Sequence, residues 1–130
     1  MTPSTTPLAR VLDTTFADAL ERVPIALKTE GFGVLTTIDV KATLKAKLDL
    51  DMVGYTILGA CNPKMAHQAI TLDPTIGVNL PCNVIVRELE GGKVEVRAVD
   101  PIETIGAKKG HLEEIAGKVR AMLVQVIERV

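Results

Sequence analysis

The sequence GGKVEVRA, from Gly91 to Ala98, has the most regular pattern in the chain. Its two glycines predict a two-residue hairpin turn, because glycine adopts the left-handed backbone conformation that such turns require. After the turn, apolar side chains alternate with the charged side chains of Lys93, Glu95 and Arg97. This alternation predicts an antiparallel strand with one face on a core and the other face in water.

Other stretches rich in β-branched and apolar residues predict the rest of the sheet. The predicted strands are Ala9–Asp13, Gly33–Asp39, Tyr55–Ala60, and one strand formed by Ile76–Leu80 and Val84–Leu89 that Pro81 interrupts. Proline has no N–H to donate to a ladder of hydrogen bonds, so we expect a bulge or a sheet edge at Pro81.

Apolar residues at helical spacing predict four helices. They run from Thr15 to a stop at Gly31, from a cap at Asp39 through Leu48, from Pro63 to about Ile70, and from Leu112 to Val130. Pro24 should kink or divide the first of them. The pattern as a whole predicts an α+β fold: a mostly antiparallel sheet with helices packed on one face and a long C-terminal helix.

The length and composition indicate one small domain. The chain has 130 residues, of which 47% are hydrophobic, so we expect a single domain over residues 1–130, with residues 1–8 as a flexible lead-in. Fifteen Lys and Arg face sixteen Asp and Glu, and aromatic residues make up only 2%, which argues against nucleic-acid binding. No segment has a signal-peptide or membrane-spanning pattern, so we expect a cytoplasmic protein without membrane association.

The motif Cys61-Asn62-Pro63 joins a predicted strand to a predicted helix. Asn is a preferred N-cap and Pro a preferred first helical residue. The partial positive charge of a helix start favours the thiolate form of a neighbouring cysteine. Cys61 is therefore a candidate reactive thiol, soft-metal ligand or floor of an anion pocket, and the alternative is a small buried residue under the turn.

A second motif, Pro81-Cys82-Asn83, holds the other cysteine. Bulges often re-aim side chains near functional sites, but the motif is equally suited to shaping an edge strand. Strands adjacent in sequence are often neighbours in space, so we expect the two motifs to converge on one cleft. Asp100, at the end of the hairpin's second strand, is a further pocket candidate, although Asp-Pro is also common turn chemistry.

A metal site is a separate hypothesis. Cys61 and Cys82, together with His67, offer ligands for copper or zinc. Their spacing matches no compact ligand motif, and a solvent-facing helical histidine is the alternative for His67. Ser4 is the sole serine and lies in the tail, which argues against serine hydrolase chemistry.

Several of these stretches resemble a widespread prokaryotic family known as domain of unknown function 302. They are Gly31–Val34, Tyr55–Pro63, Pro81–Val84 and Asp100-Pro101. The resemblance covers nearly the whole chain from Val11, and it places the Cys61-Asn62-Pro63 and Pro81-Cys82-Asn83 motifs on the family's signature positions. It implies a compact α+β domain with helices on a curved antiparallel sheet, and it implies homodimerisation. It implies no established reaction, and Pro24 is a local departure from it.

Three functions remain open from the sequence. The first is a small-molecule or anion-binding module, whose pocket is built by Cys61-Asn62-Pro63 and Pro81-Cys82-Asn83. The second is a soft-metal or thiol-redox protein that uses Cys61 and Cys82. The third is a structural or interaction domain without pocket chemistry. The residues specify neither a reaction nor a cofactor. We also expect a homodimer, because the apolar stripe of the last helix could extend beyond the core of one subunit.

Overall fold

The computed structural model describes residues 6–107 and 110–130. It contains five strands, four α-helices and two short 3-10 helices in this range. The strands and α-helices are β1 (Ala9–Leu12), α1 (Phe16–Lys28), β2 (Gly33–Asp39), α2 (Val40–Leu48), β3 (Tyr55–Cys61), α3 (Pro63–Leu72), β4 (Cys82–Glu88), β5 (Val94–Ala98) and α4 (His111–Arg129). The 3-10 helices are Pro74–Asn79 and Ile105–Ala107.

The five strands form one sheet in the order β1-β5-β4-β3-β2, and every neighbouring pair is antiparallel. The predicted α+β fold class is therefore confirmed as a single domain with an open antiparallel sheet. The edges are β1 and β2. The turn between β4 and β5 holds Gly91 and Gly92 at φ +82° and +74°, as the sequence predicts. The loop is one residue longer than predicted, because Glu88 pairs with Val94 and the Leu89 N–H donates to the Lys93 carbonyl.

One face of the sheet lies against α1 and α4. On this face Leu58 pairs with Val84 and Ala60 pairs with Cys82, and all four residues are buried. The apolar stripe of α4 is also buried within the subunit: Leu112, Ile115, Ala116, Val119, Leu123, Val126 and Ile127. The core is thus built from strand alternation and the buried stripes of α1 and α4, with few aromatic residues.

One predicted strand is wrong, and one of the two outcomes predicted for Pro24 is not found. Ile76–Leu80 does not form a strand, because Pro74–Asn79 is a 3-10 helix whose first turn is capped by Asp73: its carboxylate accepts the Thr75 N–H at 2.9 Å. Only Ile76 of that helix is buried. The proline at position 24 does not divide α1, which continues from Phe16 to Lys28.

The face opposite the helices is less open than its charge pattern predicts. Glu95 is only 4% exposed, because Arg87 on β4 and Arg97 on β5 enclose its carboxylate. Arg87 Nε lies 2.7 Å from Glu95 Oε1, and Arg97 Nη2 lies 3.2 Å from Glu95 Oε2. The alternation of side chains along β5 is as predicted, but an ion-pair network and not water surrounds its central charge.

The start of the chain is partly outside the described residues, since 1–5 of the predicted lead-in are not described. Leu8, also assigned to that lead-in, is 3% exposed, and its carbonyl accepts the Ala98 N–H at 2.8 Å. On β1, Arg10 Nη1 donates to the Glu128 and Val130 carbonyls at 3.0 Å each. These bonds give two carbonyls at the C-terminal end of α4 a hydrogen-bond donor. None of the helices in residues 6–107 and 110–130 combines the length and hydropathy needed to cross a bilayer.

Candidate functional site

The two cysteine motifs meet at one end of the β3–β4 pair. Cys61 is the last residue of β3, Cys82 is the first residue of β4, and Cys82 pairs with Ala60. Both cysteines are reduced thiols, and both line a single cavity of about 290 Å³. The predicted convergence of the two motifs is therefore what the fold produces. We call this space the thiol cavity.

The wall of the thiol cavity is almost entirely apolar. Its lining residues are Phe32, Leu35, Ala60, Cys61, Asn62, Met65, Ala66, Ala69, Ile70, Gly77, Leu80, Pro81, Cys82, Ile105, Ile115 and Val119. Of the described residues that line it, Asn62 alone has a side chain with nitrogen or oxygen atoms. The well-exposed side chains of Leu35 and Ile70 lie at the mouth, whereas Ile105, Ile115 and Val119 belong to the buried core. The arrangement is suited to holding an uncharged, apolar group.

The side chain of Asn62 stabilises the turn between β3 and α3. Its Oδ1 accepts the Met65 N–H at 3.2 Å, which is the predicted N-cap of α3. Its Nδ2 donates to the Glu30 carbonyl at 3.1 Å and lies 3.7 Å from the Met122 sulfur. Gly31, at φ +82°, lies beside it, and a β-carbon there would be 3.1 Å from Nδ2. The amide is therefore occupied by internal contacts with Glu30, just after α1, and with Met122 of α4.

Pro81 is positioned by a glycine on the neighbouring strand. A β-carbon on Gly59 would lie 2.9 Å from Pro81 Cγ and would overlap Thr36 Oγ1. The Leu80–Pro81 peptide bond is cis. Gly59 thus permits the close approach of Thr36 on β2 and Pro81 before β4, which brings the Pro81-Cys82 segment against β3.

Cys82 is 5% exposed, and its environment determines its protonation. Burial, with a smaller contribution from the charge of Cys61, raises the pKa of the Cys82 thiol to about 11. Cys82 therefore remains a neutral thiol at physiological pH and contributes to the apolar lining. Cys61 is half-buried, so it is the more accessible of the two sulfur atoms.

The remaining predicted site residues lie outside the cavity wall. Asn83 and Pro63 are exposed, and the Asn83 carbonyl accepts the Val99 N–H at 3.0 Å. Asp100 forms a turn, accepting the Ile102 N–H at 3.0 Å, and pairs with Arg120 of α4 at 3.4 Å. These contacts are the structural alternative that the Asp-Pro sequence allowed.

His67 is not brought together with the cysteines. It is exposed and lines a separate cleft between α3 and α4, together with His111 and Glu114. Within the part of the chain that the structure describes, no group of three or more His, Cys, Asp and Glu side chains is placed to hold a metal ion. The structure therefore does not assemble a Cys61, Cys82 and His67 ligand set.

Sequence reasoning missed most of the cavity wall. Met65 and Ala69 on α3, and Ile115 and Val119 on α4, have the helical spacing of ordinary core residues. On α3, Met65 and Ala69 are buried, whereas Ile70 is 43% exposed. No local signal distinguishes a stripe that packs against a sheet from one that also borders a cavity.

The profile of a protein family described as "Domain of unknown function DUF302" matches residues 8–130, which is nearly the whole chain. The chain belongs to the DUF302 family. The match includes both cysteine motifs and α4, so the thiol cavity lies entirely within the DUF302 domain.

The fold also resembles a solved DUF302 structure. The crystal structure of an uncharacterized conserved DUF302 protein from Bacillus stearothermophilus is 29% identical in sequence and superimposes with a TM-score of 0.83. The alignment covers 94% of this chain and 97% of that chain. No functionally curated protein matches the sequence significantly.

Proposed function

We propose that this DUF302 domain is a binding module for a small, uncharged, apolar molecule, which it holds in the thiol cavity. The observation that carries the proposal is the cavity wall: both cysteine motifs, α3 and the stripe of α4 border one apolar space of about 290 Å³. A cavity of roughly 150 Å³ is sufficient to bind benzene. The thiol cavity therefore has room for a bicyclic ring system or a short aliphatic chain.

The same geometry argues against an anion as the ligand. Pro63 has no N–H, Asn62 Oδ1 accepts the Met65 N–H, and the Asn62 carbonyl accepts the Ala66 N–H at 2.9 Å. The start of α3 thus has little donor capacity left for a bound anion. No charged side chain is present among the described lining residues.

The test is a fluorescence titration with N-phenyl-1-naphthylamine, an uncharged probe that carries a bicyclic naphthyl group and a phenyl ring. The wild-type domain should bind it, and Ala66→Phe should weaken binding at least about tenfold, because the new ring occupies the cavity. Ala121→Phe, on the exposed side of α4, is the matched control and should bind like the wild type. Circular dichroism checks that both variants fold.

Two results would overturn the proposal. The first is a wild-type domain that does not bind the probe. The second is equal binding by Ala66→Phe and Ala121→Phe, which would place the probe elsewhere on the surface. Either result would favour a structural or interaction role, in which the two motifs only shape turns.

A second candidate function rests on a different property of the same wall. Three sulfur-containing residues, Cys61, Cys82 and Met65, line the cavity. Thiolate and thioether ligands select soft cations such as Cu(I). Because Cys82 is a neutral thiol at neutral pH, binding would release its proton and would tighten as pH rises.

Competition with bathocuproine disulfonate for Cu(I) separates the two candidates. Soft-metal binding predicts that Cys61→Ser and Cys82→Ser each weaken Cu(I) affinity, and that Met65→Leu weakens it less. If all three variants compete as the wild type does, the metal candidate is wrong. A Cu(I) affinity that falls in all three variants would favour the metal candidate.

A further inference from the structure

The wall of the thiol cavity contains a nucleophile that simple binding of an apolar molecule does not use. Cys61 is half-buried and borders the cavity, so its sulfur is in reach of a molecule held there. Its cross-strand partner on β2 is Gly33, which has no side chain to cover it. A β-carbon on Gly33 would have no neighbour within 4 Å among the described residues, so open space adjoins this end of β3.

The second thiol of the cavity is a buried polar group without a partner. Cys82 is 5% exposed, and its side chain makes no hydrogen bond with the residues that the structure describes. It pairs with Ala60, the residue before Cys61, so the two thiols lie on neighbouring positions of the β3–β4 pair. A thiol is a weak hydrogen-bond donor. A ligand with one acceptor atom near Cys82 would give this S–H a partner.

The chemistry of the wall limits which electrophile is suited to Cys61. No lysine, histidine, aspartate or glutamate is among the described residues that line the cavity, so a charged reagent finds no counter-ion there. The wall also offers no amine that would capture an aldehyde as a Schiff base. The favoured electrophile is therefore uncharged, mainly apolar, and reactive toward sulfur.

We propose that the thiol cavity captures α,β-unsaturated aldehydes and ketones that carry an aliphatic tail, and that Cys61 forms a covalent thioether with them. This inference rests on the proposed function, because the tail occupies the same apolar space. In the bound state the β-carbon of the conjugated carbonyl lies at Cys61, and the carbonyl oxygen accepts the Cys82 S–H. One molecule of this class thus matches the apolar wall, the nucleophile and the unpartnered donor.

The reaction is a conjugate addition and needs no oxidant or reductant. The Cys61 thiol loses its proton to water, and the thiolate sulfur forms a bond to the β-carbon. The π electrons of the carbon–carbon double bond move toward the carbonyl and give an enolate, which the Cys82 S–H stabilises. The α-carbon then takes a proton from water. The net change is addition of S–H across the double bond, without a leaving group.

Mass spectrometry of the full chain after exposure to trans-2-nonenal tests the proposal. Peptide mapping should place one nonenal on Cys61. Acrolein has the same reactive group without the tail, and glutathione gives the behaviour of a free thiol. The ratio of the nonenal rate to the acrolein rate should be at least about tenfold higher for Cys61 than for glutathione, because burial of the tail stabilises the bound molecule.

Three variants connect this selectivity to the cavity. Ala66→Phe should lower the ratio to that of glutathione, whereas Ala121→Phe, on the exposed side of α4, should retain it. Cys82→Ala removes the S–H donor and should slow addition of nonenal to Cys61 by about two- to tenfold. Cys82→Ser keeps a donor and should restore most of the rate. Circular dichroism checks that each variant folds.

Two results would overturn the proposal. The first is a nonenal adduct found only on histidine or lysine side chains and not on Cys61. The second is a nonenal-to-acrolein ratio for Cys61 that equals that of glutathione, or that is the same in Ala66→Phe and Ala121→Phe. If the wild type binds N-phenyl-1-naphthylamine in either case, covalent capture is wrong and the binding function stands. If it does not bind the probe, both are wrong.

Discussion

The side-chain nitrogen of Asn62 donates to the carbonyl oxygen of Glu30 across 3.1 Å, while the side-chain oxygen of Asn62 caps α3. One residue thus joins the turn after α1 to the start of α3, beside the thiol cavity. The contact explains why asparagine serves this position better than another capping residue: Ser, Thr and Asp can accept the Met65 N–H, but only an amide also presents an N–H to Glu30 at this length.

Replacement of Asn62 tests this double role. Asn62→Ala should lower the free energy of unfolding by about 1–3 kcal/mol, because it removes both the cap and the bond to Glu30. Asn62→Asp keeps the cap but places an oxygen against the Glu30 carbonyl, so it should also be destabilised. Thr15→Ala removes only the exposed cap of α1 and is the control. Urea denaturation measures all three, and an Asp variant as stable as the wild type would contradict the account.

Gly59 provides a test of the packing that positions Pro81. Gly59→Ala should destabilise the fold by about 1–3 kcal/mol, because the added β-carbon overlaps Thr36 and crowds Pro81. Gly33→Ala is the control on the adjacent strand, since a β-carbon there has no neighbour within 4 Å among the described residues. Equal losses of stability in the two variants, measured by thermal unfolding, would show that the close approach at Gly59 is unimportant.

The buried carboxylate of Glu95 predicts a specific pH dependence. Burial alone would raise its pKa, but the hydrogen bonds from Arg87 and Arg97 outweigh that effect and lower it. A lowered pKa in the folded state means that Glu95 contributes stability above the ordinary glutamate pKa of about 4.3, and that the contribution is lost as pH falls below that value.

Unfolding of Glu95→Gln measures that contribution. Near neutral pH the variant should be less stable by about 1–3 kcal/mol, because two arginines lose a charged acceptor. The difference from the wild type should shrink as the solution is acidified through the window below pH ~4.3. The exposed substitution Glu21→Gln is the control. A difference that stays constant with pH would contradict the assigned role of the ion-pair network.

The two cysteines should differ in reactivity toward a thiol reagent. Cys82 is buried and its pKa is raised to about 11, so little thiolate is present at pH 8, whereas Cys61 is half-buried. With 5,5′-dithiobis(2-nitrobenzoic acid), Cys61 should be modified at least about tenfold faster in the native protein. Peptide mass spectrometry assigns the modified residue, and urea should equalise the two rates. Faster modification of Cys82 in the native protein would refute this description of the cavity.

The sequence carries strong local information about some elements and little about others. The start of α3 was predictable because Asn62 and Pro63 act within one helical turn. The strand β5 was predictable because its alternation is uninterrupted. Ile76–Leu80 has strand-like residues as well, but the cap at Asp73 and the Pro74 that follows it stabilise a 3-10 helix there. At that point local turn chemistry outweighs β propensity.

The cavity wall could be predicted only in part. The proximity of the two cysteine motifs is predictable, because each motif lies at the end of one of two strands that are consecutive in the sheet. The contacts that define the wall are long-range, since Asn62 is bonded to Glu30, 32 positions earlier, and to Met122, 60 positions later. Likewise, burial of Glu95 depends on Arg87 across the hairpin. Such tertiary contacts leave no periodic pattern in the sequence.

Methyl-detected NMR of the wild-type domain during titration with N-phenyl-1-naphthylamine tests the binding function most directly. The methyl groups of Ile105, Ile115 and Val119, which line the thiol cavity, should shift with a common saturating affinity, while those of Val94, in the core away from it, should not. Shifts confined to Leu48 and Leu50, which are exposed at and after the end of α2, or no shifts at all, would contradict a ligand site at the cysteine motifs.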